Sequence, residues 1–183
     1  MAAENNQLNL NTPIHDFRLP ATDGKEYSPS DFSDADILVI IFMCNHCPYV
    51  KAVISRFVKL QKEYYDKGVR FLGINSNDDE GYPEDSFEKM KEYYKEWKMN
   101  FPYLRDKTQE VARKFEAICT PDIYVYNKNR ILKYRGRLDD NRNDESQVTS
   151  HDLKDAIDGL LSGKENIENQ KTSIGCSIKW INK

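Results

Sequence analysis

The sequence is short of several things, and each shortage excludes a class of protein. No apolar stretch approaches the ~20 residues that a helix needs to span a bilayer, so no membrane contact is expected. A surplus of one charge is also missing. The 27 basic residues face 30 acidic ones, a net charge of −3 that argues against nucleic acid as a partner. The opening residues, Met1 to Gln7, have neither the basic region nor the apolar segment of a secretory signal, so a cytoplasmic location is the expectation. Internal repeats are absent. Cysteine is scarce, with four among 183 residues. In a reducing compartment, two cysteines placed close together read as catalytic rather than as a permanent staple.

What is present is one informative stretch, Met43-Cys44-Asn45-His46-Cys47-Pro48-Tyr49-Val50-Lys51. It follows Ile37-Leu38-Val39-Ile40-Ile41-Phe42, a short β-branched run that reads as a buried strand of a parallel sheet. Beyond Pro48, Val50, Val53, Ile54, Phe57, Val58 and Leu60 recur at helical spacing. Two cysteines separated by two residues therefore stand where a strand hands over to a helix. The free N–H groups and partial positive charge of a helix's first turn favour a thiolate. This predicts Cys44 as the attacking thiol and Cys47 as the thiol that resolves the mixed disulfide. A protonated His46 would favour the thiolate further, and Asn45, His46 and Pro48 are the expected tuners of the couple. Pro48 suits a first helical turn but disfavours a helical Cys47. A zinc site would need two more ligands. Cys119 and Cys176 are single and His15 and His151 lie far apart, so neither a metal nor a bound cofactor is expected.

Taken in order, residues 1–12 read as a flexible polar arm and 13–183 as one domain. Pro13 to Leu19 alternates like a short strand, Asp23-Gly24 is a hairpin turn, and Lys25 to Ser28 is the return strand. Gly68 ends the helix after the cysteines, and Val69 to Asn75 is a second core strand reached by a parallel crossover. The polar loop Ser76 to Pro83 then lies at a strand's carboxyl end, where active sites often border such loops. Helices are predicted over Glu84 to Lys98, Thr108 to Glu116 and His151 to Leu161, with a short strand at Phe101 to Leu104. The strand beginning near Cys119-Thr120-Pro121 continues to Tyr126 and turns back through Ile131 to Gly136 as an antiparallel hairpin.

This order of elements, with Cys44-Asn45-His46-Cys47-Pro48, Thr120-Pro121-Asp122, Tyr134-Arg135-Gly136-Arg137 and Gly175-Cys176-Ser177-Ile178-Lys179-Trp180, resembles the thioredoxin superfamily. Within it, the chain is similar to the peroxiredoxin-like, AhpC/TSA-type proteins from about Pro13 to Trp180. The resemblance implies an α/β thioredoxin-like fold, a central mixed sheet flanked by helices with an added N-terminal β-hairpin. It also implies a cis Thr120–Pro121 bond against the CxxC, with Thr120 and Pro121 as the substrate-docking pair whose backbone receives an extended chain. Three positions depart from the related patterns. Ile41 stands where a peroxiredoxin has a threonine, Ile37 where it has a proline, and Leu38 where thioredoxin has a buried aspartate.

The expected activity is thiol–disulfide exchange by Cys44 and Cys47 on a protein or small-molecule disulfide, with a thiol reductant or redox protein as recycling partner. The alternatives are a thiol-dependent peroxide reductase, in which Cys47 captures a Cys44 sulfenic acid, and a non-enzymatic metal-binding or docking module. Cys119, two residues from Pro121, and Cys176, in an apolar tail segment, are candidate auxiliary thiols.

Overall fold

The structure is a computed structural model, and it describes residues 2–4, 10–168 and 170–181. Its strands are β1 (Ala2–Glu4), β2 (Leu19–Pro20), β3 (Glu26–Tyr27), β4 (Ile37–Phe42), β5 (Val69–Asn75), β6 (Tyr103–Arg105), β7 (Cys119–Thr120), β8 (Asp122–Tyr126), β9 (Leu132–Gly136) and β10 (Ile174–Ser177). Its helices are α1 (Pro48–Tyr64), α2 (Phe87–Glu96), α3 (Glu110–Lys114) and α4 (Asp152–Leu161).

The apolar run at 37–42 is the central strand because it has two faces to bury. Ile37, Val39 and Ile41 point into one cluster with Val53, Phe57 and Ile157. Leu38, Ile40 and Phe42 point into the other, with Phe17, Val111 and Phe115. Removing each such side chain from water is worth ~1.5–3 kcal/mol, which is why the run carries no polar residue. The sheet order is β6-β5-β4-β8-β9. β4 pairs parallel with β5 and antiparallel with β8, so the sheet is mixed, as the resemblance implies. Helices α1, α2 and α4 supply residues to the first cluster. The β2–β3 hairpin and α3 cover the second.

The turn chemistry follows the sequence closely. Asp23 accepts from the Lys25 N–H at 3.0 Å and the Tyr27 hydroxyl at 2.7 Å, fixing the hairpin. Gly68 adopts the left-handed conformation that closes the helical segment before β5. Element ends differ more. Of the alternating run Pro13 to Leu19, only Leu19 joins a ladder, and Pro13 makes an isolated bridge to Ile131. The Ile14 N–H is bonded to Arg130 instead. The helix expected from Glu84 begins at Phe87, because Ser86 is extended and its hydroxyl caps the Lys89 N–H. Pro83–Asp85 forms a separate 3-10 turn.

The N-terminal arm also differs from expectation. Ala2–Glu4 pairs with β10, and Asn11 and Thr12 exchange backbone hydrogen bonds with Leu132. Polar composition gave no sign of this, because ladder bonds use the backbone. Residues 1 and 5–9 lie outside the described residues.

Candidate redox site

Cys47 is the N-cap of α1, with extended backbone (φ −69°, ψ 120°) and Pro48 following at the first helical position. Cys44 lies three residues earlier, just past the end of β4. Both side chains are free thiols and 0% exposed. Across from them runs β7. The Cys44 Sγ lies 3.4 Å from the Thr120 hydroxyl, and the Cys47 Sγ lies 3.2 Å from the Thr120 carbonyl oxygen, to which its thiol donates. The Thr120–Pro121 bond is cis.

The β5–α2 loop closes the other side. Asp85, fully buried, accepts from the Asn45 N–H at 2.7 Å and the Asn77 amide at 2.7 Å. It meets His46 Nδ1 at 2.5 Å. The Asn45 side chain donates to the Glu84 carbonyl at 2.9 Å and accepts from the Tyr103 hydroxyl at 2.8 Å. The Tyr82 ring stacks on the His46 ring with centroids 5.2 Å apart. Asn45 and His46 are thus the residues through which this loop grips the cysteine turn. Among the described residues, the Cys44, His46 and Asp85 ligand atoms lie within 4.8 Å of one another, so these three could hold a cation. Doing so would set the ion against the existing His46–Asp85 pair.

The two thiols titrate as a pair. The neighbouring Cys47 raises Cys44, and burial and the Asp85 charge add to the rise. Cys44 in turn lowers Cys47 against its burial, with help from Cys176, Thr120 and the Val50 N–H of the helix's first turn. The surroundings thus push the two thiols apart, Cys44 up and Cys47 down. The reason is local: Cys47, not Cys44, occupies the helix cap, and a carboxylate lies beside Cys44. Asp85 itself is lowered. Burial pushes it up, but the bonds from His46, Asn77 and Asn45 outweigh that penalty.

The sequence model of the AhpC/TSA family matches residues 10–135. The chain belongs to the AhpC/TSA family. Among solved structures it is similar to an uncharacterized conserved protein from Geobacillus kaustophilus, at 45% identity over 100% of this chain and 98% of that one, with a TM-score of 0.94. It shares its fold with the thioredoxin domain of a thiol-disulfide oxidoreductase from Bacteroides vulgatus (14% identity, 85% and 99% coverage, TM-score 0.66). It shares it also with a peroxidoxin from Mycobacterium tuberculosis (19% identity, 89% and 100% coverage, TM-score 0.60). No curated protein sequence matches.

Within this AhpC/TSA-family fold, three features differ from the sequence expectation. Leu38 leaves no aspartate in the central strand, yet a buried carboxylate is present, brought by Asp85 to the Cys44 side. The acidic residues at 84 and 85 read as helix-dipole partners, and only the 3-10 turn aims Asp85 inward. Next, the backbone edge at Thr120 is not open to a substrate. β10 pairs with it antiparallel, Cys176 opposite Thr120, because the tail returns across the site. Finally, Cys119 lies fully buried, its thiol 3.9 Å from the carbonyls of Pro121 and Ser173. Burial and Asp122 push its pKa up. Pro121 borders a cleft of about 160 Å³ with Tyr49, Val53, Arg137, Arg142 and Ile174.

Proposed function

We propose that the protein is a thiol–disulfide oxidoreductase using the Cys44–Cys47 couple. The observation that carries this reading is the pair of free thiols at the β4–α1 junction, both in contact with Thr120. Membership of a redox family supports it. In the reduced pair, Cys44 gives up its proton to water while Cys47 keeps its own, donated to the Thr120 carbonyl. The Cys44 thiolate keeps the Thr120 hydroxyl as donor and attacks a substrate disulfide, releasing one substrate thiolate. Cys47 gives up its proton to that thiolate or to water and attacks the Cys44 sulfur of the mixed disulfide. The second substrate thiol leaves, and the enzyme holds a Cys44–Cys47 disulfide, two electrons having moved to the substrate. The cleft beside Pro121, with Arg137 and Arg142 on its wall, is the substrate's approach. Because both sulfurs are 0% exposed, the Tyr82 loop or the β10 tail must move for a protein substrate to reach Cys44.

Equilibration against glutathione buffers, with disulfide mapping, tests the reading. A Cys44–Cys47 disulfide with a potential near about −270 mV would mark a reductant, and one near −120 to −180 mV an oxidant or isomerase. Cys44→Ser is expected to abolish turnover and Cys47→Ser to accumulate mixed disulfides. Failure to form the intramolecular disulfide would overturn the proposal. Stoichiometric peroxide consumption with a thiol reductant, exceeding disulfide turnover, would favour the peroxide-reductase reading instead.

A further inference from the structure

Cys47 has a second sulfur neighbour. Thr120 touches both Cys44 and Cys47, and Cys176 stands directly opposite Thr120, packed against the cluster that holds the two buried thiols. Cys176 reaches that position because β10 is held on both edges. β1 pairs along one side, with Ala2 opposite Cys176, and β7 along the other, with Thr120 opposite Cys176. The approach to β7 is so close that a Cβ at Gly175 would lie 1.9 Å from the Thr120 carbonyl oxygen, so only glycine fits there. That contact sets Cys176 against Cys47. The exposures differ in a useful way: Cys44 and Cys47 are fully buried, while Cys176 is partly exposed and its neighbour Ile174 is exposed.

We propose that Cys176 is a third redox-active thiol, which takes the disulfide from the buried Cys44–Cys47 pair and presents it at the surface for reduction. This rests on the thiol–disulfide reading above. The exchange balances without any outside oxidant. Cys176 loses its proton to water, and its thiolate attacks the Cys47 sulfur. The Cys44–Cys47 bond breaks as a Cys47–Cys176 bond forms. Cys44 leaves as a thiolate held by the Thr120 hydroxyl and then takes a proton from water. The number of protein disulfides is unchanged. An external dithiol attacks the Cys176 sulfur of the new bond and leaves as its own disulfide, returning two protein thiols. Thiol–disulfide exchange requires the attacking sulfur to reach its target directly, which a bulk dithiol cannot do at Cys44 or Cys47 while both are covered. Burial and the nearby Cys47 raise Cys176, to about 11, so the relay is expected to speed up as the solution becomes more alkaline.

The test uses the full chain oxidised with diamide, followed by digestion and mass mapping of disulfides. Oxidised Cys44→Ser should contain a Cys47–Cys176 disulfide. Cys176→Ser should still form the Cys44–Cys47 disulfide, but a small dithiol should reduce it at least tenfold more slowly than in the parent. Gly175→Ala keeps all four thiols while lifting β10 off β7, and should show the same slowing. Parental reduction rates in folded Cys176→Ser, or a Cys176 that remains fully alkylatable in oxidised Cys44→Ser, would overturn the relay. A parent that forms no Cys44–Cys47 disulfide would overturn the oxidoreductase reading, while the Cys44→Ser mapping would still decide whether Cys176 reaches Cys47.

Discussion

Asp85 and Asp122 are both fully buried, yet their pKa values shift in opposite directions. Asp85 stays below the usual carboxylate value, since His46, Asn77 and the Asn45 N–H overcome its burial. Asp122 is pushed up to about 6, since burial outweighs the Arg135 guanidinium and the Tyr124 hydroxyl. The contacts explain the contrast. The Asp85 oxygens receive bonds of 2.5 Å from His46, 2.7 Å from Asn77 and 2.7 Å from the Asn45 N–H. Asp122 meets Arg135 at 3.2 Å and Tyr124 at 3.0 Å. Arg135 also spends the same nitrogen on the Glu116 carbonyl at 2.7 Å. Burial alone therefore does not decide the charge state of a carboxylate. The closeness of its donors, set against that burial, does.

The comparison can be broken most forcefully at Arg135. Arg135→Met removes the cation facing Asp122 and is expected to cost ~3–5 kcal/mol at pH 7, as for other broken buried pairs. The cost should shrink at pH 5, where Asp122 takes up a proton. Urea unfolding at the two pH values checks this, and equal losses would show that Asp122 is not the group responsible.

A smaller effect lies in the pH dependence of the parent. Asp122 has a folded pKa above its unfolded one, so between ~4 and 6 the native state holds a proton that the unfolded chain releases. Stability falls as pH rises through that window, by ~3 kcal/mol over two units. Asp122→Asn should flatten this limb. Asp85 has the opposite sign. Its folded pKa is depressed, so its contribution is present above the unfolded carboxylate value and is lost as pH falls through the folded one. Asp85→Asn should cost ~1–3 kcal/mol at pH 7 and progressively less below pH 4. It should also let Cys44 lose its proton more readily, read as faster alkylation, because the neighbouring negative charge is gone.

The smallest effect is expected at Tyr82→Ala. Losing the stack on His46 should cost about 0.5–1.5 kcal/mol and leave the acid limb assigned to Asp85 in place. A larger loss would mean that Tyr82 holds the whole loop, rather than the His46 ring alone.

Much of the fold was legible in the chain because side-chain periodicity records burial. The unbroken run at 37–42 announces a strand covered on both faces, and Asp23-Gly24 announces a hairpin. The cysteine spacing and Pro48 place two thiols at a helix start. The site's electrostatics were less legible. Asn45 and Asp85 are 40 residues apart, and nothing in the pattern near Glu84 distinguishes a carboxylate aimed at a thiol from one that faces a helix dipole.

By itself, the sequence determined that a strand, two thiols and a helix follow one another, because these depend on neighbours within a few turns of chain. Tertiary structure alone decided that the two thiols are pushed apart, that Asp85 lies beside Cys44, and that β10 seals Thr120 with Cys176 opposite it. Those outcomes rest on backbone ladders and on fields between distant segments, which leave no period in the sequence.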